Sequence, residues 1–384
     1  MKIIEVVDKQ TQKAFNNLVN LIYKQDKNYI RPLDLDINKV FNPNLNLNIV
    51  DNNCKRWVIY DEQSNEYIGR VAAFYKHKPK DRLAEGGIGF FECIDNKDAS
   101  ELLFNIAISW LNAMKINIID GPINLGERDK FWGLLVDGYS QPSYQENYNP
   151  PYYKTLFEDY GFKTYFRQDT MLLKSSTLDT SRISKIYEWL TRRGDYHVEY
   201  YQRDKLKKYA TDFTTIYNAA WQRFDTFKPI TPAQAIKEFK TMAPIVDPKY
   251  VPFFYAKDKP VAVCIAIPEI NRYFKPLKGK FGWLQKIQFY ITIKTQKNDT
   301  LRGMVFGVHP DYQNKGLDAA LIYREWKSIQ ENGQYDNFLI SWIGGFNDKM
   351  QSLMHDVFAE TYKVHYTYRL ITDNSIPFVE YAIH

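Results

Sequence analysis

The sequence predicts an α/β (α+β) chain with a mixed sheet, built as two related units, and three observations carry that prediction. The 384 residues leave room for two or three domains at roughly 150 residues each. β-rich runs and amphipathic stretches alternate in the order helix, hairpin, strand, helix, strand, helix, strand, once in each half. Landmark residues recur at a near-constant offset: Gly89 and Gly303 by 214, Phe91 and Phe306 by 215, Trp110 and Trp326 by 216.

In the first half, Arg56–Ile59 and Tyr67–Phe74 flank the polar turn DEQSNE, the pattern of a hairpin. Gly89–Ile94 is a further strand, Ala99–Lys115 repeats apolar residues at helical spacing, and Ile116–Ile119 returns to strand. In the second half, Pro252–Ala256 and Pro260–Ile267 flank KDK as a second hairpin. Strand Arg302–Val308, helix Leu317–Glu331 and strand Asn337–Ile343 follow. Past this helix the offset rises to 223 for Asn124 and Asn347, then falls to 197 for Leu156 and Leu353. The drop marks an insertion in the first half over Leu125–Pro151, rich in Gly, Pro, Asn and Tyr yet carrying the apolar FWGLLV, a composition suited to a functional loop. The polar stretch Lys174–Arg182 breaks the apolar patterning and sets the two units at 1–175 and 176–384.

The composition, 45% hydrophobic and 25% charged, is that of an ordinary globular protein and excludes a disordered or fibrous chain. Glu5 and Asp8 interrupt the apolar core that a signal peptide needs, and no apolar run approaches the ~18 residues of a membrane span. Three scattered cysteines without a CxxC pattern fit reduced thiols in the cytoplasm. Six histidines without metal-ligand spacing give no reason to expect a metal. A net charge of +6 with no Arg-rich patch favours a small anionic ligand and not nucleic acid. One segment, Lys275–Asp299, interleaves Lys278, Lys280, Lys286, Lys294 and Lys297 with Phe281, Trp283, Phe289 and Tyr290. That mixture suits a phosphate-bearing or membrane surface, or an amphipathic segment packed on its own domain.

The most informative stretch is MVFGVHPDYQNKGLDAALIYREW, Met304–Trp326. A buried strand leads through a turn with one glycine into a helix starting near Leu317, where free amides and the helix dipole favour a phosphate and Lys315 adds charge. The segment VHPDYQNKGLDAAL resembles the acyl-CoA-binding motif of the GNAT superfamily of N-acyltransferases, with Gln313 and Gly316 matching Gln/Arg-x-x-Gly-x-Gly/Ala. The resemblance implies two tandem GNAT-like domains and acetyl-CoA or another acyl-CoA as donor. Gly307 and Val308 would face the pantetheine arm, and the loop amides of Gln313, Asn314, Lys315, Gly316, Leu317, Asp318 and Ala319 would hold the pyrophosphate. Asp318 departs from the motif, since a carboxylate there repels pyrophosphate unless it turns away.

Further along, Asn347–Tyr362 resembles the family's next helix, with Asn347 facing the cofactor. The Tyr that protonates the leaving thiolate in many members is replaced by Met354 here and by Phe157 in the first half. His355, Tyr323 and Tyr362 are therefore the groups to test for catalysis. Trp342, Tyr148 and Tyr152 are candidates for an acceptor pocket between the domains. The first-half loop Ile94–Ser100 carries Asp95 and Asp98 and no glycine, a poor phosphate cradle. The resemblance leads to acyl transfer to a small-molecule or peptide amine. Two alternatives stand beside it: a non-catalytic sensor of a CoA ester, and a Fem-type aminoacyl transferase, although no coiled-coil arm for tRNA is visible.

Overall fold

The computed structural model describes residues 1–76, 84–126, 128, 130–192, 194–222 and 228–381, so Glu127 and Asp129 of the insertion lie outside the described residues. The first half runs β1 (Lys2–Glu5), α1 (Lys9–Asn17), α2 (Val19–Ile22), α3 (Asp34–Val40), β2 (Cys54–Asp61), β3 (Glu66–Tyr75), β4 (Glu85–Cys93) and α4 (Lys97–Ala113). It continues with β5 (Ile118–Gly121), β6 (Leu134–Asp137), α5 (Tyr153–Tyr160) and β7 (Lys163–Lys174). The second half runs α6 (Ser181–Arg192), β8 (Tyr196–Tyr200), α7 (Leu206–Trp221), α8 (Pro232–Met242), β9 (Pro252–Ala256), β10 (Lys259–Pro268), α9 (Asn271–Phe274) and α10 (Trp283–Thr295). β11 (Thr300–Val308), α11 (Leu317–Asn332), β12 (Asn337–Gly344), α12 (Asp348–Asp356) and β13 (Glu360–Ile371) complete it.

The strands form one mixed sheet in the order β1-β2-β3-β4-β5-β13-β7-β12-β11-β10-β9-β8, with β6 hydrogen-bonded to β13. Read from either end, this order is the same: five strands of one half, then the last strand of the other. β13 therefore lies against β5 of the first half and β7 against β12 of the second, and the two pair with each other from Glu360 opposite Leu172 to Arg369 opposite Lys163. Exchanging the last strands leaves neither half with a closed sheet of its own.

Two main cores follow the repeat. In the first, α4 lays Leu103, Phe104, Ala107 and Leu111 on β2–β5; in the second, α11 lays Leu317, Ala320, Leu321 and Ile322 on the matching strands. The apolar spacing of three and four that predicts both helices is what puts those residues on one buried face.

Candidate functional site

β11 and β12 run parallel only from Thr300 opposite Asn337 to Gly303 opposite Ile340. Beyond that point β11 stays with β10, ending with Val308 opposite Ala262, while β12 stays with β7, ending with Gly344 opposite Gln168. The strands part, and one backbone edge of Met304–Val308, including Gly307 and Val308, has no strand beside it. Met304 is 40% exposed although its strand is interior to the sheet, so one face of β11 is uncovered at the split, while Trp221 packs over Gly307.

The first half splits in the same way, with β4 and β5 paired only from Glu85 to Gly87, but its gap is filled. Ile123 donates its N–H to the Ile88 carbonyl (2.8 Å), and a Cβ on Gly89 would lie 1.6 Å from the Ile123 oxygen. The helix starts differ too. The α4 N-cap is Asn96, whose side chain accepts from the Ala99 amide at 2.8 Å, so one of its free amides is already taken. The α11 N-cap is Gly316, at φ +85° and with no capping side chain, although Asp318 within the first turn takes the Ala319 amide.

The loop into α11 is held from behind. His309 donates its N–H to the Val261 carbonyl (2.8 Å), and Gln313 Nε2 donates to the Val308 carbonyl (3.2 Å). Asn314 takes a left-handed φ of +62°, and Lys315 Nζ donates to the Asp311 carbonyl (2.9 Å). Asp318, the departure from the motif, accepts from the Ala319 amide (3.0 Å) and pairs with Lys349 Nζ of α12 (3.0 Å). Its charge is therefore matched by a cation on the next helix. Asn347 caps that helix, accepting from the Met350 amide at 3.3 Å.

The three residues singled out for catalysis are not brought together. Tyr323 stacks on Trp326 (5.7 Å) and meets Tyr187 at a tilt (5.0 Å), His355 is exposed in the last turn of α12, and the carbonyl of Tyr362, on β13, adjoins Gly138. Met354 is fully buried.

What converges near the split is a polar centre under the inserted loop. A cavity of about 10 Å³ is lined by Trp132, Glu146, Gln168, Arg302, Trp342 and His365, among others. That is room for one water-sized group. Trp342 lies in the register irregularity between Ile340 and Ile343 at φ +67°. A bulge of this kind re-aims a side chain, and left-handed backbone at a residue other than glycine costs about 1–3 kcal/mol. Glu146 from the insertion pairs with the buried Lys363 Nζ at 2.6 Å. Burial alone would raise the Glu146 carboxyl, but the cations Lys363 and Arg302 outweigh it and bring it down to about 2.

His365 Nε2 lies 3.0 Å from the Asn147 carbonyl. A carbonyl only accepts, so Nε2 carries the proton and Nδ1 keeps the lone pair of the neutral ring. Burial pushes the His365 pKa below the usual histidine value, against the pull of Glu146 and Asp169. A second cavity of about 50 Å³, sharing Phe131 and Glu146, is lined by Arg70, Glu92, Tyr148 and Tyr153. Tyr148 donates to Asp26 (2.6 Å) beside this larger cavity, whereas Tyr152 donates to the Cys93 carbonyl (2.7 Å).

Glu146, Arg302 and His365 are not legible as site residues from sequence patterning. Lys363, His365 and Thr367 alternate with Val364, Tyr366 and Tyr368, which reads as the solvent face of a strand. The insertion covers that face: Trp132 Nε1 donates to Thr367 Oγ1 (3.0 Å), which also accepts from Gln168 Nε2 of the neighbouring β7 (2.6 Å), and Lys363 Nζ donates to the Gln141 carbonyl (2.7 Å).

The strand order and the split strands define the class: this is the tandem GNAT fold. It superposes on a tandem GNAT protein from the clavulanic acid biosynthesis pathway with a TM-score of 0.54 at 10% identity, covering 98% of this chain and 99% of that one. The corresponding values for a GCN5-related N-acetyltransferase from Sphaerobacter thermophilus are 0.51, 8%, 99% and 98%. In sequence, the chain is 24% identical over 381 residues to the bacterial ceramide synthase of Caulobacter vibrioides, covering 96% of this chain and 97% of that one. It is also 24% identical over 379 residues to protein YghO of Escherichia coli, covering 93% and 92%. No family model matches the chain.

Proposed function

We propose that the protein is an N-acyltransferase that moves an acyl group from acyl-CoA to a primary amine. The observation that carries this reading is the open split between β11 and β12, which leads to a helix start without a side-chain cap, while the equivalent split in the first half is filled. The pyrophosphate would meet the loop amides from Asn314 to Asp318, since those of Gln313 and Ala319 are taken by the Pro310 carbonyl and the Asp318 carboxylate, with Lys315 nearby and Asp318 neutralised by Lys349. The pantetheine arm would run along the free edge of Gly307 and Val308 towards Trp342. The likeness to a protein named for ceramide synthesis supports a long-chain amino alcohol as the acceptor class, since ceramide is the amide of such an amine.

The chemistry needs the ammonium deprotonated before its nitrogen attacks the thioester carbon. We assign His365 Nδ1 as the base, in the water-sized space that would receive the amine head group. The C–N bond forms, the C–S bond breaks, and the second proton lost from the nitrogen as it becomes an amide goes to the departing thiolate. With Met354 where many relatives carry a tyrosine, no hydroxyl is supplied at that point, an observation that favours the alternative of a CoA-ester sensor.

One assay separates the two readings: thiol release from acyl-CoAs of increasing chain length with a panel of amino alcohols, with the amide product identified by mass. Turnover is expected, falling about 100-fold or more in His365→Gln. Wild-type kcat/KM should rise with pH through a limb below the ordinary histidine range, because deprotonation activates the base, and His365→Gln should lack that limb. CoA binding without thiol release for any acceptor supports the sensor, and an unchanged pH profile in His365→Gln removes the histidine from the mechanism.

A further inference from the structure

Among the described residues, sixteen large apolar side chains are exposed, and five of them fall within nine residues of α10: Trp283, Leu284, Ile287, Tyr290 and Ile291. Their spacing of three and four puts them on one side of the helix. The other side is already occupied, since Phe289 stacks on Phe274 at 4.8 Å and packs with Phe281 at 5.7 Å. α10 is thus apolar on both faces, and one of those faces is bare. Isolated exposed apolar residues need no explanation, but a contiguous patch does.

The charge around the patch indicates what covers it. From Ile270 to Asn298 lie seven of the chain's 51 Lys+Arg and none of its 45 Asp+Glu, so the remaining residues together carry a net charge of −1. The whole positive excess of the protein sits in this one segment. Lys278, Lys280, Lys286, Lys294 and Lys297 are exposed, and none has a carboxylate partner among the described residues, whereas Arg272 pairs with Asp299 (2.6 Å). Two copies meeting face to face here would oppose seven cations to seven. An anionic bilayer surface instead offers negative headgroups to the lysines and acyl chains to Trp283, Leu284, Ile287 and Ile291.

We infer that α10 docks the protein on anionic phospholipid bilayers, lying in the interface plane with its bare face buried between headgroups. No described helix is long and apolar enough to cross a membrane, so this is attachment to a surface. The helix is one layer from the polar centre: Phe274 beneath it packs on Tyr144 of the insertion (5.1 Å), and the adjacent Gln145 lines the smaller cavity. The inference stands without the acyl-transfer reading, because it rests only on the exposed face and its charge.

The test is co-sedimentation of the full chain with vesicles of phosphatidylglycerol and phosphatidylcholine in equal parts, with pure phosphatidylcholine as the neutral control. One variant carries Trp283→Ser, Ile287→Ser and Ile291→Ser; a second carries Lys280→Gln, Lys286→Gln and Lys294→Gln. All six positions are exposed, so both variants should melt at the wild-type temperature. The wild type should bind anionic vesicles, weaken with added salt, and bind neutral ones about tenfold less or weaker. Each variant should lose about tenfold or more. Absence of wild-type binding, or retention of it by either variant, overturns the inference. So does a dimer in light scattering that the serine variant abolishes while vesicle binding is absent, since that would show a second copy as the occupant.

Discussion

Glu146 and Lys363 are a buried ion pair at 2.6 Å between the insertion and the last strand, and their energetics follow from what each leaves behind. Glu146→Gln strands a buried ammonium and should cost about 3–5 kcal/mol, whereas Glu146→Gln with Lys363→Met removes both charges and should recover most of that loss. Chemical denaturation of the two single variants and the double variant checks this. The folded carboxyl is depressed from 4.5 to about 2. Its contribution to stability is therefore complete above the unfolded pKa and drains away as the pH falls from about 4.5 to about 2. None of this is legible in YKVHYTY, Tyr362–Tyr368, because what buries Lys363 and His365 comes from more than 200 residues earlier in the chain.

At the scale of elements, the loop into α11 is what the motif in the sequence identifies, and its backbone explains why the glycine stands there. Gly316 sits at φ +85°, and a Cβ would come 2.6 Å from Ile186 Cγ2 of α6. Gly316→Ala should lower stability by about 1–2 kcal/mol from the left-handed backbone alone, with a further loss against Ile186. In the Gly316→Ala, Ile186→Ala pair the contact part should disappear and the backbone part remain, as read from melting temperatures. The hairpins, the repeated helices and the glycine turn into α11 are legible because periodicity and turn chemistry are local. The turn of Trp342 into the cavity is not, since it depends on a register irregularity against β7. The role of α10 is legible only in part: its lysines and aromatics stand out in the sequence, while which face is bare depends on Phe274 and Phe281 packing behind it.

For the whole molecule, the exchanged last strands make the two halves one cooperative sheet. We propose to read 1–175 and 176–384 as related units that are not separable: without β13, both β5 and β7 lose a neighbour. Each half expressed alone should be insoluble or unfolded, and co-expression should restore a soluble complex; a monomeric half with a sharp melting transition would contradict this. The duplication is legible in the repeated order of elements, but the exchange is not, because pairing partners this distant leave no trace in spacing. The same architecture lets one half keep an open split while the other fills its own with Ile123, and that asymmetry is the centre of the functional account. A crystal structure of the full chain grown with CoA tests it most directly. Pyrophosphate density is expected on the loop amides from Asn314 to Asp318, with the thiol arm between β11 and β12 and directed towards Trp342; CoA at Ile94–Ser100 of the first half, or at neither loop, would contradict this assignment.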